Sequence, residues 1–389
     1  MLGLVAASML TGCSSDEVIS SPDGGLANQG GMGVNSDVEI RLSSSSKGTR
    51  SSVESTATGF FEANGLGIFC LAYDVLTVNP DEQPIDWNRP YEPNTNYSVW
   101  MENVEANAVY EKSEEDEIVG TNIKWAEAGK SYWYPVGNWY CYKFYGYYPR
   151  VENDALVSTE SQRYTVMELD GTQDVIWGCT EEDAASFKYS AKFFRMSEEN
   201  AQVIPSVPFK HLLMRYTFSC TAGADAYGST ESAKKMKVKS IIIKEVPNTP
   251  TFIIADRDNK ENEGTLSFDW SEYGQKGDFV LKGADDTELE PVQVADEKTV
   301  IGQGVLLPVP EDPNYRYGVD IVLVDDDGNE FVSEHPIQLR LNTEGGVTAY
   351  KAGTSYNINL TIHGPQEIYL NATLAPWELD DDSVHDIEL

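Results

Sequence analysis

Basic residues are scarce in this 389-residue sequence: 28 Lys and Arg stand against 63 Asp and Glu, a formal net charge of −35. That shortage argues against a nucleic-acid binder, because phosphate backbones are bound by clustered Lys and Arg. It also argues against charge-driven binding to anionic membranes. Yet 41% of the residues are hydrophobic and 11% are aromatic. The composition therefore indicates a soluble, acidic, globular protein with more than one domain.

Residues that carry catalytic or metal chemistry are also sparse. The histidines are His211, His335, His363 and His385. None of them lies at helical metal-ligand spacing from another, and His211, beside a run of strand residues, is interpreted as structural. The sequence contains no C-x-x-C pair, P-loop, G-x-S-x-G elbow or H-E-x-x-H motif. We therefore expect no enzymatic activity, no cofactor and no metal site.

Cysteines are few and widely spaced. Beyond Cys13 they are Cys70, Cys141, Cys179 and Cys220. All but Cys179 lie in apolar, strand-like runs, which favours buried thiols, although one disulfide in an oxidising compartment stays open. The acidic stretches at 256–264 and 325–328 lack the spacing of an EF-hand calcium loop and are interpreted as solvated hairpin tips.

Long apolar runs are missing as well. The apolar run Met1–Leu10 is too short to cross a bilayer as a helix, which needs roughly 20 apolar residues, but it suits a secretory signal. It leads into Leu10–Cys13, which resembles the lipobox of bacterial lipoproteins, where the chain is cut before a cysteine whose thiol carries diacylglycerol. We therefore predict a signal peptide over residues 1–12, lipidation of Cys13 and a lipid-anchored location outside the cytoplasm.

A short strand follows between two polar stretches. Residues 13–36 are rich in Ser, Gly, Asp and Asn, as in a flexible tether. Residues 37–42 alternate polar and apolar with period two, which predicts a half-buried strand carrying Val38, Ile40 and Leu42 on one face. Ser43–Ser52 forms a second polar break, which includes Arg50. Such a strand could leave the fold without removing other elements.

The rest of the chain is predicted to be all-β. Apolar or alternating runs closed by turn residues predict strands at 67–73, 142–148, 212–220, 238–246, 304–309, 317–324, 356–362 and 367–374. Many short strands with weak helical periodicity predict β-sandwiches. The length suits two of them, over 37–205 and 206–389, with the junction near Pro205–Pro208.

An aromatic run occupies Tyr132–Tyr148. Aromatic side chains can form a platform that stacks on sugar rings, or they can pack between strands in the core. The two interpretations differ in exposure, because a sugar platform has to face solvent.

Segments along most of the chain resemble the fimbrillin family, the FimA- and Mfa-like pilins of type V pili in Bacteroidetes-type bacteria. The segments that carry the resemblance are Thr49–Arg50, Tyr132–Pro135, Phe144–Pro149, Gln173–Trp177, Val207–Leu213, Leu306–Pro308, Ala352–Leu360 and Ala375–Trp377. Their order and spacing together are more specific than any one of them.

The resemblance implies two transthyretin-like β-sandwich domains, export as an outer-membrane lipoprotein, and cleavage by an Arg-specific protease. In the family the cut removes the first strand, and a C-terminal segment of the next subunit fills the groove. Carried onto this chain, these features imply cleavage at Arg50, loss of the strand with Val38, Ile40 and Leu42, and other fimbrillin subunits as partners.

The donor strand is harder to place. Ile368, Leu370 and Leu374 alternate with polar residues and are candidates, but this run is equally a strand of its own domain. The tail beyond Trp377 holds no strict period of two, so a tip or accessory subunit stays open beside a shaft subunit that supports adhesion. A monomeric surface lipoprotein that binds host glycan or protein is the alternative function.

Overall fold

The computed structural model describes residues 35–46, 63–75, 85–89, 98–114, 118–135, 140–180, 189–312, 314–332, 337–339, 342–343, 346–347, 350–365, 367–375 and 385–387. The elements up to residue 211 are β1 (Asn35–Glu39), β2 (Leu42–Ser46), β3 (Ala63–Val75), β4 (Val99–Lys112), β5 (Ile118–Trp125), β6 (Trp133–Pro135), β7 (Tyr140–Tyr148), β8 (Leu156–Ser158), β9 (Gln162–Val166), β10 (Ile176–Cys179), α1 (Ala191–Arg195), α2 (Glu198–Ala201) and β11 (Ser206–His211).

The later strands are β12 (Met214–Ala222), β13 (Met236–Pro247), β14 (Thr251–Asp256), β15 (Thr265–Ser267), β16 (Lys276–Val280), β17 (Val292–Gln293), β18 (Thr299–Leu307), β19 (Tyr317–Asp325), β20 (Glu330–Val332), β21 (Ile337–Leu339), β22 (Asn342–Thr343), β23 (Gly346–Val347), β24 (Ser355–Gly364), β25 (Glu367–Ala375) and β26 (His385–Ile387). Short 3₁₀ helices lie at Ala233–Lys235, Lys260–Asn262 and Ala284–Asp286. The all-β prediction is confirmed.

The N-terminal strands close a barrel in the order β10-β11-β2-β5-β4-β3-β7, with β7 paired to β10. The sequence predicts a two-sheet sandwich here, whereas continuous pairing around the ring leaves these described strands without an open edge. The transthyretin-like detail is not established by this pairing. Strand β11 belongs to the barrel although it lies beyond the predicted boundary at 205/206, and the part of the chain after His211 is called here the second unit. The division into two domains itself stays a prediction.

The start of the described chain differs from the single strand predicted over residues 37–42. Two strands, β1 and β2, flank Ile40 and Arg41, and β1 pairs with β6 outside the barrel. Ser43–Ser46, predicted as part of a polar break, lies within β2. The reason is the backbone: β2 pairs with β5 on one side and with β11 on the other, and hydrogen bonding on both sides does not depend on apolar side chains.

The second unit contains two larger sheets whose apolar side chains share one core. One sheet has the order β18-β12-β24-β25-β26, and the other has β16-β13-β19-β20 with β17 and β21 alongside. A further sheet, β15-β14-β9-β8, pairs strands from both sides of His211. Trp177 reinforces this connection, since its Nε1 donates to the carbonyl of Ile254 at 2.8 Å. The two units are therefore joined by backbone pairing as well as by side-chain packing.

Strands β3 and β7 are buried on both faces, which explains their nearly continuous apolar sequences. Ile68 and Phe144 point into the core inside the barrel. Phe69 and Tyr145, one residue further on, pack in the core that extends into the second unit. Alternation with period two thus divides each strand between two cores.

Buried tyrosines make the fold sensitive to alkali. Burial raises the pKa of Tyr147 to about 12 and raises those of Tyr134, Tyr216 and Tyr317 well above the ordinary value. Unfolded tyrosines ionise near pH ~10, so the stabilisation is complete below that pH and is lost as the pH rises through the folded-state pKa. We expect the free energy of unfolding, measured with urea at a series of pH values, to fall steadily from pH ~10 to pH ~12. Unchanged stability over that interval would contradict the burial of these hydroxyl groups.

Candidate functional site: the N-terminal segment of the barrel

Residues 35–46, called here the N-terminal segment, complete the barrel. Within it β2 runs antiparallel to β5, with Leu42 opposite Ile123, and parallel to β11, with Ser44 opposite Val207. All other barrel strands come from residues 63–211. A short piece from the start of the described chain therefore holds together two strands that are not paired with each other.

The segment is anchored by two apolar side chains. Ile40 is 1% exposed and Leu42 is 2% exposed, and both pack in the core of the barrel, with Val38 half-buried beside them. The structure thus brings the three predicted residues together on the inward side. Ser44 is also buried, and its Oγ donates to the carbonyl of Val207 at 3.1 Å. Ser44 was missed because a serine in a serine-rich run carries no local signal of burial.

Polar contacts around the segment are mainly made to backbone atoms. The Ile40 N–H donates to the Tyr132 carbonyl at 2.7 Å, and the Ser43 N–H donates to the Pro205 carbonyl at 3.0 Å. Glu39 accepts a hydrogen bond from Ser131 Oγ at 2.5 Å in an exposed position. Backbone contacts of this kind can be made by any strand that reaches the same place, whatever its sequence.

Two grooves flank the segment. One, of about 340 Å³, lies between Val38, Trp133 and Phe194. The other, of about 440 Å³, lies between Ile40, Trp125 and Ile204. Among the described residues, the segment is therefore bordered by a groove on each side.

The remaining predicted site residues lie elsewhere. Cys13 and Arg50 fall outside the described residues, as do residues 1–34, so lipidation and cleavage stay predictions. Ile368, Leu370 and Leu374 lie in β25, which pairs with β24 on one side and with β26 on the other. To act as donors these residues would have to give up their pairing with β24, and Leu374 its pairing with β26 as well.

The aromatic run is buried wherever side chains are described, apart from the partly exposed Trp133 and Tyr148. Its buried members are Tyr132, Tyr134, Tyr140, Tyr142, Phe144, Tyr145 and Tyr147. They pack in both cores, and Tyr134 and Phe194, for example, have ring centroids 4.9 Å apart. The described part of this run is thus core, which removes the support that a solvent-facing platform would give to the monomeric glycan-binding alternative.

The histidine and cysteine side chains that could carry chemistry, His211 and the four described cysteines, lie in the packed interior or close to it. His211 Nδ1 lies 2.7 Å from Asp174 Oδ2, and both side chains are fully buried. No disulfide joins Cys70, Cys141, Cys179 and Cys220. Burial raises the pKa of the Cys179 thiol to about 11, which keeps it protonated at neutral pH.

The acidic loop that begins at Asp256 is also structural. The tip of this hairpin, residues 258–261, is exposed as expected, but Asp256 at its base is buried, and its Oδ1 accepts hydrogen bonds from the backbone N–H groups of Asp258 and Asn259. In the part of the chain that the structure describes, no group of three or more His, Cys, Asp or Glu side chains is placed to hold a metal ion. Nor does any helix among those residues have the length and apolarity needed to cross a membrane.

The architecture is that of an all-β protein whose first barrel strand is short and is separated in sequence from the other barrel strands. The chain belongs to the fimbrillin-like family, whose sequence profile matches residues 88–377, and this confirms the resemblance drawn from the motifs. The family is one of fimbrial and adhesion proteins. The N-terminal segment and the last residues of the sequence lie outside the matched range.

Similar solved structures come from Bacteroides and Porphyromonas species. They include a candidate cell adhesion protein from Bacteroides uniformis ATCC 8492, with 13% identity, a TM-score of 0.46 and coverage of 87% of this chain and 99% of that chain. Two others are from Porphyromonas gingivalis. The fimbrial anchor protein Mfa2 has 10% identity, a TM-score of 0.32, and coverage of 87% of this chain and 99% of that chain. The tip fimbrial protein Mfa3, truncated at its C-terminus, has 9% identity, a TM-score of 0.38, and coverage of 87% of this chain and 100% of that chain. No curated protein matches the chain.

Proposed function

We propose that this chain is a structural fimbrial subunit, exported as a lipoprotein through Cys13, cut after Arg50, and polymerised when a strand of a second copy replaces the N-terminal segment. It acts at the outer surface of the cell, in adhesion, and it performs no catalysis. The observation that carries the proposal is the position of β2 between β5 and β11, in a segment that can leave without taking any other strand with it.

A cut after Arg50 changes the energetics of the segment rather than its contacts. While residues 47–62 connect β2 to β3, return of the segment is intramolecular and is favoured by a high effective concentration. After the cut the segment is held by its backbone pairing, by side-chain hydrogen bonds such as that of Ser44 Oγ to the Val207 carbonyl, and by burial of Ile40 and Leu42, each worth roughly 1.5–3 kcal/mol. A competing strand with equal contacts and a higher local concentration can then displace it.

Loss of the segment leaves the barrel in need of a strand. The edges of β5 and β11 then carry unpaired N–H and C=O groups, and the sites of Ile40 and Leu42 become an apolar slot. A strand from another chain restores both the hydrogen bonds and the burial, as in β-strand addition. An open barrel is therefore a specific receptor for an extended segment with apolar residues two positions apart.

Although the tail as a whole holds no strict period of two, its last four residues offer such a segment. Asp386–Leu389 repeats the pattern of Glu39–Leu42, with an acidic residue first, Ile second and Leu fourth. The three residues of β26 pair only with β25 among the described strands, so few ladder contacts oppose their release. Because each copy carries both a slot and a filler, assembly runs head to tail and does not close on itself unless the rotation between copies closes a ring.

Limited proteolysis with an Arg-specific protease tests the proposal, using the chain from Ser14 onward. We expect intact mass to locate one early cut after Arg50, followed by filaments or ladders in size-exclusion chromatography and negative-stain microscopy. The variant Arg50→Ala should remain uncut at that position and monomeric.

A pair of tail variants identifies the strand that fills the slot. Replacing Ile387 by Asp should abolish assembly after the cut, because the substituted position is the one that matches buried Ile40. Replacing Val384 by Asp is the matched control, because Asp37 stands at the corresponding position of the N-terminal segment. A cut product that stays monomeric would move the assignment to a tip subunit or a monomeric binding lipoprotein, and assembly unaffected by Ile387→Asp would exclude the tail as donor.

A further inference from the structure

A third cavity on the barrel, called here the rim pocket, shares Trp125, Glu127 and Lys130 with the groove beside Ile40. Its volume is about 200 Å³, and its lining includes Glu102, Glu105, Trp125, Lys130, Tyr132 and Arg150. This is smaller than the roughly 300–1,000 Å³ of pockets that take drug-sized ligands, so it suits one small ring. It combines an aromatic side with hydrogen-bond donors and hydrogen-bond acceptors, as binding pockets for small polar molecules do.

Trp125 and Tyr132 form the aromatic side. Their ring centroids are 4.8 Å apart at an interplanar angle of 63°, so the two rings fix each other's orientation. Tyr132 is buried, whereas Trp125 remains partly exposed. Lys130 Nζ lies 5.5 Å from the centroid of the Tyr132 ring. The partly exposed indole of Trp125, packed against the ring of Tyr132, gives a ligand a rigid apolar surface.

The opposite side is built on a strained residue. Asn103 has a φ of 47° and lies where β4 carries an extra residue relative to β3. Its side chain accepts from Tyr147 Oη at 2.7 Å and donates to the Val151 carbonyl at 2.9 Å, and its own carbonyl accepts from Arg150 Nε at 3.1 Å. Left-handed backbone at a non-glycine residue costs of order 1–3 kcal/mol, and such strain and bulges concentrate at binding sites. Here the bulge orients Arg150 and the neighbouring Glu102 at the pocket.

Charge in the rim pocket is balanced by ion pairs. Lys130 Nζ contacts Glu127 Oε2 at 2.5 Å, Arg150 Nη1 contacts Glu152 Oε1 at 3.7 Å, and Glu102 Oε1 accepts from Arg163 Nε at 2.6 Å. A charged ligand would compete with these partners. An uncharged ligand with several hydroxyl groups can use cationic donors and carboxylate acceptors together without breaking them.

We propose that the rim pocket binds a single neutral pyranose. The apolar C–H face of the sugar packs on the indole of Trp125. Its hydroxyl groups accept from Lys130 and Arg150 and donate to the carboxylates of Glu102 and Glu105. The proposal does not rest on strand exchange, because the pocket belongs to the intact barrel.

Saturation-transfer NMR against a panel of methyl glycosides tests this, using the full chain from Ser14 onward. The panel contains the methyl glycosides of glucose, galactose, mannose, fucose and N-acetylglucosamine, with N-acetylneuraminic acid as the charged comparison. We expect at least one neutral glycoside to bind with a millimolar dissociation constant, while the charged sugar does not. Replacing Trp125 by Ala or the exposed Glu105 by Ala should weaken binding about tenfold or more, equivalent to about 1.4 kcal/mol.

Two further variants separate loss of the site from loss of the fold. Trp125→Phe keeps an aromatic ring against Tyr132 and should retain part of the binding. Tyr273→Ala removes an aromatic side chain that is 87% exposed in the second unit, and it should leave binding unchanged. Failure of every neutral glycoside to bind, equal binding by Trp125→Ala, or binding confined to the charged sugar would each overturn the proposal.

Discussion

Replacing Ile40 and Leu42 together by Ala lowers the free energy of unfolding by about 4 kcal/mol or more, since each such truncation of a buried side chain costs about 2–5 kcal/mol. Both side chains are within 2% of complete burial and fill the core of the barrel on the inward side of the N-terminal segment. The loss has an additional structural consequence. Weaker anchoring of β2 opens the barrel between β5 and β11, so proteolysis of the barrel accelerates together with the fall in stability.

Urea unfolding of the chain from Ser14 onward measures the effect, and Arg41→Ala is the matched control. Arg41 lies between the two anchors in sequence, but its side chain is exposed, and its Nη2 donates to the Ala201 carbonyl at 3.5 Å. Its replacement should change the stability by less than about 0.5 kcal/mol. Equal effects of Arg41→Ala and the double variant would show that the segment does not contribute its two apolar side chains to the barrel core.

Replacing Glu263 by Leu destabilises the protein by about 3–5 kcal/mol, because it removes the carboxylate that neutralises the buried charge of Lys143. Lys143 Nζ, on β7, lies 2.8 Å from Glu263 Oε2, and both side chains are about 5% exposed. Tyr145 Oη donates to the other carboxylate oxygen at 2.6 Å, so the same change removes a second buried interaction. Glu263 belongs to the connection between β14 and β15, and the pair therefore joins the barrel to the small sheet that links the two units.

The double variant Lys143→Met with Glu263→Leu separates the cost of an unpaired charge from the value of the pair. Apolar residues of similar volume restore much or all of the stability when both charges leave. The pair Lys239–Glu330 is the surface control, because both of its side chains are about half exposed. Glu330→Gln should cost at most about 1 kcal/mol. Similar losses for Glu263→Leu and Glu330→Gln in thermal unfolding would contradict the buried pair.

The anchors of the N-terminal segment could be predicted from sequence because their signal is local. Val38, Ile40 and Leu42 alternate with charged residues, and such alternation reports one buried face whatever the rest of the chain does. The same reasoning located β3 and β7, whose apolar runs reflect burial on both faces. Apolar periodicity thus identified the strands in which burial is decided by the side chains themselves.

Ser43–Ser46 could not be placed in the barrel in this way. Its inclusion depends on β11, to which Ser44 is bonded across 163 positions of sequence, and a run of serines gives no local indication of a strand. Closure of the barrel and the partner of Lys143 are likewise set by pairing between distant segments. The missed features are those in which the backbone, or a remote partner, decides the outcome.

Hydrogen exchange at β5 and β11, the two strands beside β2, tests whether a strand of another copy replaces the N-terminal segment. Amides of Thr121–Ile123, Val207 and Phe209 that face β2 are compared in the intact chain, in the chain cut after Arg50, and in its assembled form. The account predicts protection in the intact chain, loss of protection when the segment leaves after the cut, and renewed protection on assembly as a strand from another copy fills the slot. Unchanged protection after release of the segment, or continued rapid exchange in the assembled form, would contradict it.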